Sequence, residues 1–251
     1  MTNIFDMSNK VALVTGGSRG LGRAMCHTLA EFGAEIVVVS RDLEACQATA
    51  REIQQLGGRA RAFSCHVGKW SEIDRLVDNV YREVGSVDVL INNAGIAPVA
   101  SSLVEASEDL FDKVVGVNFK GPFRLSALVG SKMADGKGGA IINISSIAST
   151  RPSGPTAIYG AAKSAMNTLT RAFAYEYAPK VRVNGIICGP FHTDISRSWS
   201  KSDEFRELAK TTFAMQRAAD PEEIATTVLY LASDRSSFTT GTLVEVSGGR
   251  K

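Results

Sequence analysis

A chain of 251 residues, 44% of them hydrophobic, can bury a sizeable core and is long enough for one large α/β unit or two small domains. Its 28 basic and 26 acidic residues leave a formal charge of +2 without blocks of one sign, so nothing in the charge pattern points to nucleic acid or an anionic membrane. Cys26, Cys46, Cys65 and Cys188 lack the spacing of a zinc site or redox pair, and His27, His66 and His192 make no helical pair, so no protein-bound metal is expected.

The first ten residues lack the apolar run of a secretory signal, and no apolar stretch reaches the ~20 residues of a membrane span, which reads as a soluble, cytoplasmic chain. Val11–Thr15 is a short β-branched run, and the glycine-rich turn Thr15 to Gly22 leads from it straight into helical periodicity over Leu21–Phe32. Gly16, Gly20 and Gly22 let the backbone turn tightly against a pyrophosphate. Ser18, Arg19 and Leu21 share that turn, and the helix start offers free N–H groups and the positive dipole end. A strand over Glu35–Ser40 follows. At its end an NAD site would place an acid to accept from the ribose hydroxyl, but here Ser40 leaves room for a 2′-phosphate that Arg41 can bind, with Arg19 as a second clamp. That pattern favours NADP over NAD, with Asp42 as a possible neutraliser of Arg41.

Further strands are expected over Arg59–Cys65, Val87–Asn92, Ala140–Ser145, Val181–Ile187 and Thr242–Val246. Helices are expected over Leu43–Leu56, Ser71–Val84, Leu110–Met133, Ala157–Ala178 and Pro221–Ala232, the last capped by Asp220. Strict alternation of seven strands with helices predicts an α/β fold: a doubly wound parallel (Rossmann) sheet, helices on both faces, in a single domain over 1–251. The one long departure, about 191–216, mixes charges with Trp199, Phe205 and Phe213 and is expected to be a substrate lid.

Tyr159 and Lys163 lie one helical turn apart on one face, where an adjacent ammonium would stabilise a phenolate and lower a pKa that is ordinarily ~10. Ser146 stands where the fifth strand ends, able to polarise a substrate oxygen or simply to cap the strand. Pro122 has no N–H for the Asn118 carbonyl one turn back, so a proline kink is expected to free that carbonyl for a water reaching Lys163; an incidental kink with Gly121 is the alternative.

Taken together, Thr15-Gly-x-x-x-Gly-x-Gly22, Asn92-Asn93-Ala94-Gly95, Asn118, Ser146 and Tyr159-x-x-x-Lys163 resemble the short-chain dehydrogenase/reductase family over about Asn9 to Gly249. The resemblance implies Tyr159 as acid/base, Lys163 lowering its pKa and holding the nicotinamide ribose, Ser146 orienting the substrate oxygen, and Asn118 supporting a proton-relay water. It also implies cofactor contacts from Asn93, Ala94 and Gly95, from His66 and Val67 near the adenine, and from Gly189, Phe191 and Thr193 after the sixth strand. Two positions depart from the family pattern. Cys188 replaces the usual proline of the turn, leaving its stiffness in doubt, and His66 stands where an acid is usual, either on adenine or simply at the surface.

The expected reaction is NADP-dependent hydride transfer to a ketone or 3-oxoacyl thioester, with NAD-dependent sugar or polyol oxidation as the rival and a non-catalytic dinucleotide sensor as a third reading. Ala97, Pro98, Ile147, Arg151, Trp199 and Phe205 are candidate walls for a small-molecule substrate, Arg151 meeting an anion or pointing to water. A homotetramer, or a homodimer, is implied by the resemblance, and Ala161, Ala162 and Ala165 would permit close helix approach.

Overall fold

Seven parallel strands form one sheet in the computed structural model, which describes residues 4–194 and 196–250. The expectations that touch Met1 to Asn3, Ile195 within the 191–216 segment, and Lys251 lie outside those residues. The strands are β1 (Val11–Thr15), β2 (Glu35–Ser40), β3 (Arg59–Ser64), β4 (Val89–Asn92), β5 (Gly139–Ser146), β6 (Val181–Cys188) and β7 (Leu243–Val246), in the order β3-β2-β1-β4-β5-β6-β7. Helices α1 (Gly20–Glu31), α2 (Leu43–Gln55), α3 (Trp70–Glu83), α4 (Glu108–Val115), α5 (Gly121–Asp135), α6 (Ala157–Tyr177), α7 (Asp203–Thr212) and α8 (Glu222–Ala232) complete the order.

Strand alternation sends Ala12 and Val14 into a core with Met25 and Leu29 of α1, Ile53 of α2 and Val228 of α8. Leu13 and Val37 face the opposite way, onto Val77 of α3, Val129 of α5 and Phe173 of α6. Burial on both faces is why the strands read as unbroken apolar runs. The order of strands reverses between β1 and β4, and that reversal opens a crevice at their carboxyl ends.

Two local expectations are corrected. The helix expected over Leu110–Met133 is split into α4 and α5 by a π-helical turn at Gly116–Lys120, in which the Gly121 N–H donates to the Gly116 carbonyl five residues back. The change of register thus begins before Pro122, and the proline follows as a first-turn residue of α5, where its missing N–H is harmless. Gly121 is required at the junction, because a Cβ there would stand 2.2 Å from the Val67 carbonyl oxygen.

The segment 191–216 contains α7, capped by the Ser202 hydroxyl that accepts from the Phe205 N–H at 3.1 Å. Finally, Asp220 does not cap α8 through its side chain. The Glu223 carboxylate instead accepts from the Asp220 N–H at 2.9 Å and takes both arms of Arg217, at 2.6 and 2.8 Å.

Overpacking at the α4–α5 junction gives a direct test. Gly121→Ala is expected to lower unfolding stability by about 1–3 kcal/mol in a denaturant titration, whereas Gly154→Ala, whose Cβ meets nothing within 4 Å, leaves it nearly unchanged.

Candidate active site

The crevice is a cleft of about 1150 Å³. Gly16, Ser18, Arg19, Gly20 and Leu21 line one side, and Ser40, Arg41, His66 and Val67 continue it toward β2 and β3. Asn93, Ala94 and Gly95 lie at the end of β4, Ser146, Tyr159 and Lys163 above β5, and Gly189, Phe191 and Thr193 close the opposite wall. Of the residues expected for catalysis or cofactor binding only Gly22 and Asn118 do not line the cleft. A Cβ on Gly22 would fall 2.0 Å from the Gly16 carbonyl oxygen, so this glycine lets helix α1 seat against its own loop.

The glycine turn is held by Thr15, which the sequence reading left unassigned. Its hydroxyl accepts from the Asn93 and Ala94 N–H groups at 3.0 and 3.1 Å and donates to the Ile91 carbonyl at 3.2 Å, while the Asn93 amide donates to the Thr15 carbonyl at 2.9 Å. Gly16 has φ +66°, and a Cβ there would stand 2.8 Å from that Asn93 amide. No side chain caps the start of α1. A helix end with uncapped N–H groups, fronted by a glycine-rich loop, suits a pyrophosphate.

At the end of β2, Ser40 accepts from the Asp42 N–H at 3.2 Å, and Asp42 caps α2 by accepting from the Ala45 N–H at 3.1 Å. Asp42 is therefore committed, and Arg41 makes no ion pair with it or with any other described residue. Arg19 lies 3.7 Å from Asp194, which also holds Arg197 at 2.8 Å. His66 accepts on Nδ1 from the Gly68 N–H at 3.0 Å, so its ring orientation is set by its own turn.

Ser146 caps the strand end. Its hydroxyl accepts from the Ala148 N–H at 3.2 Å, capping a short 3₁₀ turn, and it lines the cleft with Tyr159. Lys163, only 3% exposed, donates from Nζ to the Ile144 carbonyl at 2.8 Å and stands 5.8 Å from the centre of the Tyr159 ring. The expected lowering of the Tyr159 pKa by Lys163 is not what these residues produce by themselves. Burial pushes the phenol up to about 12 against the opposing influence of the nearby Ser146 hydroxyl, and burial likewise brings Lys163 down to about 8. Cys188, buried beside Lys163, is pushed up to about 12 and is a neutral thiol.

Asn118 is fully buried in the π-helical turn. Its amide donates to the Ile96 carbonyl at 2.8 Å and the Val114 carbonyl at 2.9 Å, while its Oδ1 accepts from the Ile96 N–H at 3.3 Å. The side chain thus fastens the strand after Gly95 to the helix junction. The α-helical donor to its carbonyl is still missing, because residue 122 is proline. Behind it, Asn92 donates to Ser126 and Asn143, and Asn143 to Thr170, a buried ladder that ties β4 and β5 to α5 and α6.

The turn after β6 keeps its shape without proline at 188. Gly189 fits against Ser247, whose Cα would be 2.6 Å from a Cβ, and its N–H donates to the Val246 carbonyl at 2.9 Å. The buried Ser196 hydroxyl accepts from the Thr193 N–H at 2.9 Å and donates to the Phe191 carbonyl at 2.5 Å. Ala97, Ile147, Trp199 and Phe205 line the cleft as expected, but Pro98 and Arg151 do not. The Arg151 guanidinium instead donates to the Arg250 main-chain carbonyl at 2.7 Å. Asp194, Cys188 and Arg250 are cleft residues that sequence reasoning did not assign; Arg250 carries no local signal because only its pairing with the distant Phe213 brings it there. Among the described residues no three His, Cys, Asp or Glu side chains gather to hold a metal, and no helix is long and apolar enough to cross a membrane.

Residues 16–251 match a family model described as enoyl-(acyl carrier protein) reductase. The human protein named dehydrogenase/reductase SDR family member 4 is 35% identical over 250 residues, covering 99% of this chain and 90% of that one. The 3-oxoacyl-(acyl-carrier-protein) reductase of Thermotoga maritima is 32% identical over 97% of this chain and 98% of its own. The solved gluconate 5-dehydrogenase of Burkholderia cenocepacia, in complex with NADP and tartrate, superposes with a TM-score of 0.93 at 30% identity, over 97% of this chain and 96% of that one. This chain belongs to the short-chain dehydrogenase/reductase family, and with that it is an oxidoreductase that uses a nicotinamide cofactor on alcohol or carbonyl groups of small molecules.

Thr15→Val keeps the volume of the side chain but strips three hydrogen bonds from the floor of the cleft. It is expected to cost about 1–3 kcal/mol in denaturant unfolding and to weaken nicotinamide dinucleotide binding measured by calorimetry.

Proposed function

We propose that this protein is an NADPH-dependent reductase of a ketone or an oxoacyl thioester, with Tyr159 as the proton donor. The single observation that carries the reading is that Ser146 and Tyr159 line the cleft beside the buried Lys163, at the carboxyl end of β5 and opposite a glycine turn that leads into an uncapped helix start. A reduced nicotinamide supplies the hydride. Gly16, Gly20 and the start of α1 would hold its pyrophosphate, Lys163 its ribose, Thr193 its carboxamide, and His66 and Val67 its adenine side. Arg41, unpaired among the described residues, and the small Ser40 support a 2′-phosphate, with Arg19 as the second cation.

The protonation states favour reduction. A phenol at about 12 is fully protonated at neutral pH, so Tyr159 holds a proton for the carbonyl oxygen as the carbon is reduced, and Ser146 orients that oxygen. Lys163, at about 8, is charged at neutral pH and ready to return a proton to the tyrosinate. The Asn118 carbonyl, without its α-helical donor, would hold a water that resupplies Lys163. The continuous sheet supports one domain with 191–216 as its lid, and exposed Phe111 and Phe123 support a homotetramer built on the α4–α6 side.

Paired oxidation of NADPH and NADH, screened over ketones, aldehydes and oxoacyl thioesters, tests cofactor and reaction together. No turnover of any of them with either cofactor, despite tight binding, would return the chain to the dinucleotide-sensor reading. Tyr159→Phe is expected to lower kcat by about 10²–10⁴-fold while leaving NADPH affinity nearly unchanged. Arg41→Ala is expected to weaken NADPH roughly tenfold or more with little effect on NADH, as read by calorimetry. If the Lys163 proton is required, kcat/KM for reduction is level at low pH and falls as pH rises through about 8.

A further inference from the structure

The apolar end of the cleft, beyond Tyr159, contains a cation that the reaction itself does not use. Ile147 directly follows Ser146 and packs against a small core of Phe205, Ala209, Phe213 and Ala218. The chain end returns to this same core: Arg250 bridges antiparallel to Phe213, and the Ala214 and Met215 N–H groups donate to the Gly249 and Gly248 carbonyls at 2.7 and 3.0 Å. Arg151, whose own N–H is tied to the Ile147 carbonyl at 2.8 Å, donates from its guanidinium to the Arg250 carbonyl at 2.7 Å. Arg250 is thus fixed through its main chain on two sides, and it lines the cleft.

Its guanidinium has no ion pair among the described residues. The one carboxylate of the lid that lines the cleft, Asp194, is already shared by Arg19 and Arg197. Of the other cationic residues lining the cleft, Arg19 and Arg41 belong to the glycine-turn and β2 side, and Lys163 is held by Ile144. A cation that lines the same cleft as Ile147, Phe205, Leu208 and Phe213, with no ion-pair partner among the described residues, matches a substrate that is apolar along its length and anionic at its far end. We propose that Arg250 is a specificity-determining residue that selects carbonyl substrates bearing a carboxylate, the anion seated on its guanidinium while the oxo group lies at Ser146 and Tyr159. The planar fork of the guanidinium suits a carboxylate with two parallel hydrogen bonds. Arg151, the arginine that the sequence alone would nominate for an anion, is the strap that positions it.

This inference rests on the reductase reading, and the test separates the two. Linear oxo-carboxylic acids of increasing chain length and their methyl esters are compared as substrates with NADPH, in the native protein, Arg250→Ala and Arg250→Lys. At the chain length that fits, Arg250→Ala is expected to raise KM for the acid by about 10- to 100-fold and to leave kcat and KM for the ester within about twofold, with Arg250→Lys intermediate. Retained turnover of the ester shows that the variant is folded. In parallel, quenching of Trp199 fluorescence by the saturated acid and its ester, with NADPH present, reads affinity without turnover. Equal losses for acid and ester, or an acid KM and affinity unaffected by Arg250→Ala, overturn the role of Arg250 and leave the reductase intact. Acid binding that depends on Arg250 in a protein that reduces no carbonyl would overturn the reductase reading and leave the anion site standing.

Discussion

All seven strands run the same way, so all seven carboxyl ends meet at one edge, and the reversal of strand order between β1 and β4 leaves that edge open. Every other feature of the cleft depends on this constraint. Each residue proposed to act lies in a turn that leaves the sheet at that edge, or in a helix that starts there, and the sheet sets their separations. Buried polar ladders keep the edge rigid: Thr15 joins β1 to the turn after β4, and Asn92, Asn143, Ser126 and Thr170 join the central strands to the helices behind them. Such networks are worth having only when nearly every member is paired, and here the Asn92 Oδ1 is the one member left without a protein partner.

Burial also sets the chemistry. Tyr159 and Lys163 are displaced in opposite directions for one reason, since a low-dielectric surround disfavours a phenolate and an ammonium alike. The two groups, nearly equal in acidity in water, are thereby driven apart: Tyr159 becomes a neutral proton donor, backed by a lysine that can titrate near neutrality. The proximity of an ammonium, which suggests a lowered tyrosine pKa on paper, is outweighed because Lys163 is itself desolvated and occupied by the Ile144 carbonyl.

Much of the fold was legible because its strands are buried on both faces and bounded by turn residues; β1 and β2 match the expected limits and the rest shift by at most two residues. The single helix expected over Leu110–Met133 was not, since its apolar periodicity runs on across a π-helical turn that only the hydrogen-bond register defines. Helix α7 had a readable start in Ser202-Asp203-Glu204, a cap followed by acids, but its apolar residues pack against Ile147, far away in sequence.

What the sequence by itself determined is the family-defining set: the glycine turn, Ser146, and Tyr159 with Lys163. These are local, because a turn needs its glycines and a helix face needs its four-residue spacing. The tertiary structure alone decided which arginine meets the substrate end of the cleft, how the turn after Cys188 is stiffened, and which way burial moves Tyr159. Those outcomes depend on groups brought together across long stretches of chain, Arg151 with Arg250, Gly189 with Ser247, Lys163 with Ile144, and no local spacing encodes such meetings.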